Sequence, residues 1–165
     1  MSRYLAAMLL TMLGACASAP GPVAPSRIIV PDSSSVTPAP GAGREFALRA
    51  LGFFGVPYRW GGTTPEQGFD CSGLIRYVYE QMTGRPLPYN AYGLARFGRT
   101  VDDTELQPGD LVFFNTLRTP YSHVGIYLGE ARFLHAPSSG STVQIADMNN
   151  RYWNARYNGA RRLPI

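Results

Sequence analysis

The chain has 165 residues, 45% of them hydrophobic and 16% charged, and a formal net charge of +4 from 15 basic and 11 acidic side chains. This length suits one domain with additional segments, and the apolar content excludes global disorder because it can supply a core. The basic residues are scattered, and Arg161-Arg162 is the only adjacent pair. Without a basic stripe or tail, we expect no nucleic-acid partner.

The first segment, residues 1–15, has the pattern of a secretory signal peptide. Arg3 supplies a positive charge, and the run from Tyr4 to Leu13 is mostly apolar. That run is too short for a membrane-spanning helix, which needs about 20 residues. The segment leads through Leu-Gly-Ala to Cys16, which resembles a bacterial lipobox. We therefore expect Cys16 to carry a lipid anchor, the alternative being an ordinary cleaved signal in which this cysteine is incidental.

Residues 16–43 are interpreted as the lipidated cysteine followed by a linker. The segment is rich in Pro, Ser and Ala and shows neither helical nor strand periodicity. Ala17, rather than an aspartate, follows Cys16. An aspartate there would mark retention in the inner membrane, so we expect an exported protein anchored to the outer membrane and facing the periplasm. The globular domain is predicted over residues 44–165.

The first half of the predicted domain has helical patterns. Apolar residues at helical spacing predict a helix over residues 46–54, which a glycine and a proline then end. Asp70 is a good N-cap for a second helix over Cys71–Thr83, which ends at a further glycine. A short helix is expected over residues 91–97.

The second half of the predicted domain has strand patterns. The runs are short and rich in β-branched or aromatic residues, at Leu111–Phe114, Val124–Leu128, Arg132–Ala136, Thr142–Ala146 and, for a last strand, Ala160–Leu163. Gly129 and Glu130 predict a tight connection between the second and third runs. Helices followed by an antiparallel sheet predict an α+β fold.

Cys71 is the first candidate for chemistry. It lies at the first turn of a predicted helix, where the helix dipole stabilises a thiolate and lowers the thiol pKa. If Cys16 carries lipid, Cys71 has no disulfide partner, and an unpaired thiol in an oxidising compartment indicates a reactive role. A small buried hydrophobic residue is the structural alternative. The small neighbours Ser72 and Gly73 are expected to let the backbone of a substrate approach.

The chain has only two histidines, His123 and His135, and both fall in the strand region. A turn at residues 129–131 would place them within one or two residues of direct opposition, about 5 Å apart on one face. One histidine could then orient the other as a base for Cys71. A zinc site built from these three residues is the rival interpretation, but the spacings typical of zinc ligands are missing. We expect no metal or other cofactor.

Five segments, in this order, resemble the NlpC family of papain-like cell-wall cysteine peptidases. They are YRWGG at 58–62, FDCSGLI at 69–75, LQPGDLVFF at 106–114, HVGIYLG at 123–129 and FLHAP at 133–137. The similarity is greatest to short, single-domain lipoprotein murein endopeptidases, whose chains end much like residues 152–157.

The resemblance implies a role for each site residue. Cys71 would attack the scissile carbonyl, His123 would shuttle the proton, His135 would orient His123, and Tyr58 would help to stabilise the oxyanion. It also implies a papain-like fold and hydrolysis of stem peptides in peptidoglycan.

The sequence leaves more than one candidate for the bond that is cut and for the class of reaction. The D-alanyl–meso-diaminopimelate cross-link is the expected bond, and the D-glutamyl–diaminopimelate bond is the alternative. The same fold also hosts amide hydrolysis or acyl transfer on other substrates, and a non-catalytic wall-binding module is a third class. The expected partners are the stem peptides and, through the lipid, a membrane. We expect a monomer.

Five further residues have candidate roles in binding. Asp70 and Ser72 flank the nucleophile and are candidate substrate-binding residues, although helix capping accounts fully for Asp70. Tyr152, Trp153 and Tyr157 could line a sugar-binding face, but packing is the preferred interpretation because aromatic side chains usually serve burial.

Overall fold

The computed structural model describes residues 41–165. Within that range the helices are α1 (Ala42–Leu51), α2 (Cys71–Thr83), α3 (Ala91–Leu94) and α4 (Arg151–Asn154), with a 3₁₀ turn at Asp103–Glu105. The strands are β1 (Thr63–Thr64), β2 (Gly68–Phe69), β3 (Arg99–Val101), β4 (Leu111–Phe114), β5 (His123–Gly129), β6 (Arg132–His135), β7 (Gln144–Asp147) and β8 (Tyr157–Arg162). None of the helices in this part of the chain is long and apolar enough to cross a membrane.

The centre of the fold is an antiparallel sheet in the order β3-β8-β4-β5-β6-β7, and β1 pairs with β2 separately. The predicted α+β class is therefore confirmed. Successive side chains of a strand point to opposite faces. In β4, Leu111 and Phe113 pack with α1, α2 and α3 in the main core, whereas Val112 and Phe114 join a second apolar cluster. The sheet is thus covered by apolar side chains on both faces.

Two predicted elements have the observed bounds, α2 and β4. The other predicted helices end before their apolar patterns do. Beyond Leu51 the amides of Phe53 and Phe54 bond three residues back, to Ala50 and Leu51, so the chain turns and α1 ends. α3 likewise ends at Leu94, three residues before the predicted end.

The remaining differences concern the bounds of some elements and several short elements that were not predicted. The helix α1 begins at Ala42, two residues before the predicted start of the domain. The last two strands, β7 and β8, lie at 144–147 and 157–162 rather than 142–146 and 160–163. The two-residue strands β1 and β2, together with β3 and α4, were not predicted because segments of two to four residues show no periodicity.

A buried ion pair joins β8 to the turn before β4. Asp110, almost fully buried, accepts two bonds of 2.7 Å from Arg162 and one of 2.8 Å from the amide of Gln107. Asp110→Ala should therefore lower the free energy of unfolding by about 3 kcal/mol in urea denaturation, because a half-buried guanidinium loses its partner. Glu105→Ala is the matched control, since its ion pair with Arg99 is exposed and 3.9 Å long and should contribute less than about 1 kcal/mol. Equal losses in the two variants would contradict this account.

Candidate active site

Cys71 is the first residue of α2, and Asp70 is its N-cap. The Oδ1 atom of Asp70 accepts the amide of Gly73 at 2.6 Å, and its Oδ2 atom accepts the amide of Gly61 at 3.0 Å. One carboxylate therefore caps the N-terminus of α2 and also holds the loop that follows Tyr58. The predicted N-cap is confirmed, and a role for Asp70 in substrate binding stays a prediction.

Internal packing explains why position 73 is a glycine, which is not the explanation that the sequence suggested. A Cβ atom at this position would lie 2.0 Å from the carbonyl oxygen of Gly62. The space beside the first turn of α2 is thus filled by the protein's own loop. This close approach is internal, so it explains the glycine without a substrate. The approach of substrate backbone beside Gly73 stays a prediction.

Ser72 is also engaged within the protein. Its side chain is buried, and its hydroxyl lies 2.9 Å from Oδ1 of Asp70 and 3.1 Å from the carbonyl oxygen of Tyr89. The hydroxyl has one proton to donate, so it satisfies one of these acceptors at a time. Ser72 ties the start of α2 to the segment before α3, and its predicted contact with substrate stays a prediction.

His123 and His135 meet across β5 and β6. Nε2 of His123 lies 2.9 Å from Nδ1 of His135, and both side chains are buried. Because Ile126 pairs with Leu134, His135 is opposite Gly125, two residues from His123 on the same face. The predicted offset of one or two residues is confirmed.

Gly125, opposite His135, lets β5 and β6 pack closely. A Cβ atom there would lie 2.5 Å from the ring of Phe133 and 2.9 Å from the carbonyl oxygen of Leu134. Glu130 and Ala131 form the turn between the strands with positive φ values of 52° and 56°. This tight turn sets the register of β5 and β6 and hence brings the two histidines together.

Cys71 approaches the sheet at the start of β5. The backbone amide of Val124, the residue after His123, lies near the thiol and lowers its pKa. Tyr58 and Cys71 both pack against the edge of the main core. The structure therefore brings the four predicted site residues, Tyr58, Cys71, His123 and His135, to one end of the sheet. No hydrogen bond joins Cys71 directly to His123 in the described part of the chain, and such bonds tighten when substrate binds.

Burial opposes ionisation of the thiol. It raises the pKa of Cys71 to about 11, with a further increase from the carboxylate of Asp70, while bonds from the amides of Val124 and Ser72 act in the other direction. Burial, together with the Cys71 and Asp70 charges, also raises the pKa of the Tyr58 hydroxyl. The thiolate expected from the helix dipole alone is thus opposed by desolvation, and the thiol needs a base when it attacks.

Burial likewise keeps both histidines neutral. It lowers the pKa of His123 to about 4, and burial together with the charge of His123 lowers the pKa of His135 to about 3. Neutral imidazoles suit the predicted roles, because a base must carry a free lone pair before it accepts a proton.

The free energy of unfolding should fall as the pH falls from 6.5 towards 4. Protons bind the unfolded histidines near pH 6.5 but bind His123 and His135 in the folded state only at lower pH, so acid favours unfolding. Between pH 7 and pH 5 the loss should be about 2 to 4 kcal/mol in urea denaturation.

The double variant His123→Gln, His135→Gln is the control for this pH dependence. The chain has no other histidine, and few other side chains titrate between pH 5 and 7. The variant should therefore have nearly constant stability in that range. A slope equal to that of the unsubstituted protein would contradict the assignment.

The aromatic residues near the C-terminus differ in their surroundings. Trp153 stacks on His123, with ring centroids 5.5 Å apart, and meets His135 edge to face at 4.9 Å. Tyr157 donates its hydroxyl proton to Asp103 at 2.7 Å, and Tyr152 is half exposed. Packing was the preferred interpretation, and Trp153 does pack in the second cluster. Its contact with both histidines was missed, because no sequence signal relates α4 to β5.

The zinc site that the sequence left as an alternative would need three ligands around one ion. Within residues 41–165, no group of three or more His, Cys, Asp or Glu side chains is arranged to hold a metal ion. The site has one thiol at the start of α2 and two imidazoles that are hydrogen-bonded to each other. This arrangement suits proton transfer from a thiol.

The sequence model of the NlpC/P60 family matches residues 55–162. The murein DD-endopeptidase MepH of Escherichia coli K12 is 42% identical over 112 residues, which are 66% of this chain and 41% of MepH. The gamma-DL-glutamyl hydrolase of Bacillus subtilis 168 is 44% identical over 112 residues, 67% of this chain and 27% of that protein. The chain thus matches less than half the length of either relative.

A solved structure has the same fold. The NlpC/P60 family protein from Bacillus cereus ATCC 10987 superposes with a TM-score of 0.68 at 33% identity, over 74% of this chain and 40% of the other. This similarity confirms the predicted papain-like fold. Residues 55–162, which the family model matches, contain Cys71 and both histidines.

Proposed function

Because this chain belongs to the NlpC/P60 family, we propose that it is a cysteine endopeptidase that hydrolyses stem peptides of peptidoglycan. The observation that carries the proposal is the placement of the Cys71 thiol at the start of α2, near Val124 of β5, while Nε2 of His123 and Nδ1 of His135 lie 2.9 Å apart across β5 and β6. The name of the murein DD-endopeptidase MepH supports the substrate class.

The geometry suggests a direction for proton transfer. His135 occupies Nε2 of His123, so Nδ1 is the nitrogen left to take the proton from Cys71. The sulfur attacks the carbonyl carbon, and the amide nitrogen leaves with the proton that His123 received. Water, activated by the same imidazole, then hydrolyses the thioester and regenerates the thiol. Tyr58 and amides near Cys71 would stabilise the oxyanion.

We propose the D-alanyl–meso-diaminopimelate cross-link as the bond that is cut. The relation to a DD-endopeptidase favours this bond. The relation to a gamma-DL-glutamyl hydrolase supports the bond after D-glutamate as the second candidate. The two products differ in mass, because cutting the cross-link turns muropeptide dimers into monomers with intact stems, whereas cutting after D-glutamate shortens the stem to two residues.

Digestion of purified sacculi, followed by mass analysis of the released muropeptides, tests both steps. The expected result is loss of dimers and gain of monomers with intact stems. Stems shortened to two residues would select the second bond instead. If the muropeptide pattern matches that of an untreated sample, the proposed function is wrong.

We also propose that Cys16 carries a lipid that holds the protein on the outer membrane, facing the periplasm. The signal peptide, Cys16 and most of the linker lie outside the described residues, so the proposal rests on the lipobox pattern in the sequence. Cys16→Ala should abolish acylation and shift the protein from the membrane fraction to the soluble fraction, or leave it unprocessed. An intact mass that shows an unmodified Cys16 in the membrane-extracted protein would contradict this.

A further inference from the structure

Trp153 is the one residue of α4 that contacts both histidines. Its ring is nearly parallel to that of His123, at 27°, and nearly perpendicular to that of His135, at 89° with centroids 4.9 Å apart. Two such contacts from one ring constrain both imidazole planes at once.

Trp153 is itself held firmly. Its ring lies against those of Phe114 at 4.9 Å, Phe133 at 5.1 Å and Tyr152 at 4.9 Å. Asn150 caps the short helix by accepting the amide of Tyr152 at 2.9 Å. A ring surrounded in this way has little rotamer freedom, so it can hold neighbouring rings in place.

His135 has one nitrogen without a conventional partner. Its Nδ1 contacts His123, but its Nε2 is buried and has no nitrogen or oxygen partner among residues 41–165. A buried polar atom without a partner is costly and calls for an explanation.

The tautomers of the two histidines are linked. For His123 to accept the thiol proton at Nδ1, its Nε2 must carry a hydrogen and donate it to Nδ1 of His135. His135 must then carry its own hydrogen on Nε2. The opposite arrangement puts the hydrogen of His123 on Nδ1, where no lone pair is left for the thiol. The site works as a base only when Nε2 of His135 is protonated.

We propose that Trp153 is a positioning residue that selects this tautomer and fixes the plane of the base. The face of its indole ring accepts the Nε2–H of His135, and its stacking holds the ring of His123. The face of an aromatic ring is electron-rich, so it attracts an N–H and repels a lone pair. The contribution of this residue to catalysis rests on the proposed function, whereas the effect on the tautomer does not.

Two substitutions separate the aromatic face from apolar bulk. Trp153→Leu keeps an apolar side chain but removes the ring face, and Trp153→Phe keeps a face of smaller area. Phe54→Leu is the matched control, because Phe54 is exposed and has no aromatic contact with either histidine in the described part of the chain.

Nitrogen NMR of the histidine rings gives a readout without substrate. The unsubstituted protein should show His135 protonated at Nε2, and Trp153→Leu should show a mixture of tautomers. With muropeptides, Trp153→Leu should lower kcat by about 10-fold to 100-fold, with KM changed less than about twofold. Trp153→Phe should keep most of the Nε2–H tautomer of His135 and most of the kcat of the unsubstituted protein. Phe54→Leu should change neither the tautomer nor kcat.

Two outcomes would overturn the inference. One is an unchanged tautomer and an unchanged kcat in folded Trp153→Leu. The other is a Phe variant as slow as the Leu variant with the tautomer unaltered in both, which would make Trp153 a packing residue. If the unsubstituted protein releases no muropeptides but the tautomer shifts in Trp153→Leu, the proposed function fails while the role of Trp153 in setting the tautomer is supported.

Discussion

Replacement of Cys71 by alanine is expected to abolish muropeptide release, with a loss of at least about 10⁴-fold in kcat. The thiol of Cys71 is the nucleophile assigned at the start of α2, and alanine cannot form a thioester. The measurement is the rate of dimer loss from purified muropeptides, followed by mass analysis.

The Cys71→Ala variant should remain folded, because the change removes a single sulfur atom of a partly buried residue. Its circular dichroism and urea midpoint are therefore measured alongside its rate. Cys16→Ala is the matched control, since it removes the chain's only other cysteine outside the site. On soluble muropeptides it should keep the rate of the unsubstituted protein. A Cys71→Ala variant with more than a few per cent of that rate would contradict the nucleophile assignment.

His135→Ala should lower kcat by roughly 10³-fold to 10⁴-fold, because it removes the acceptor that orients the base. His123 would keep its Nδ1 but lose the 2.9 Å contact that fixes its ring and its tautomer. His135→Asn offers an amide oxygen as acceptor and should keep a measurable part of the rate. The Asn variant is thus expected to be slow, whereas Cys71→Ala is expected to be inactive.

A structural effect must be separated from the catalytic one, since His135 is buried. Loss of its side chain leaves Nε2–H of His123 without a partner, at a cost of about 1 to 3 kcal/mol in the free energy of unfolding. Rates are therefore compared at a temperature where urea titration shows each variant folded. Full turnover by folded His135→Ala would remove this residue from the catalytic site and leave Cys71 and His123 as a dyad.

The pKa shifts indicate how the reaction begins. With the thiol pKa raised and the imidazole pKa lowered, the resting pair is neutral and the proton moves during attack. A base with a pKa far below 7 is a weak proton acceptor. The oxyanion donors and the start of α2 must therefore stabilise the charge that develops as substrate displaces water.

Local chemistry in the sequence determined the parts of the site that lie on single elements. Asp70 followed by Cys71 predicted the start of α2 because an N-cap and the first turn are set by adjacent residues. The tight turn near Gly129 predicted the pairing of β5 with β6, since a short turn dictates register. From that register the offset of His123 and His135 followed.

Tertiary packing decided the features that join residues distant in the chain. Gly73 is a glycine because the carbonyl of Gly62 packs on it, and nothing in the local sequence reveals that contact. The thiol pKa also depends on how deeply Cys71 is buried, which reverses the shift expected from the helix dipole alone. Trp153 reaches the histidines because α4 lies on the second face of the sheet. A four-residue helix has no periodicity, and burial is a property of the assembled core, so neither can be derived from local patterns.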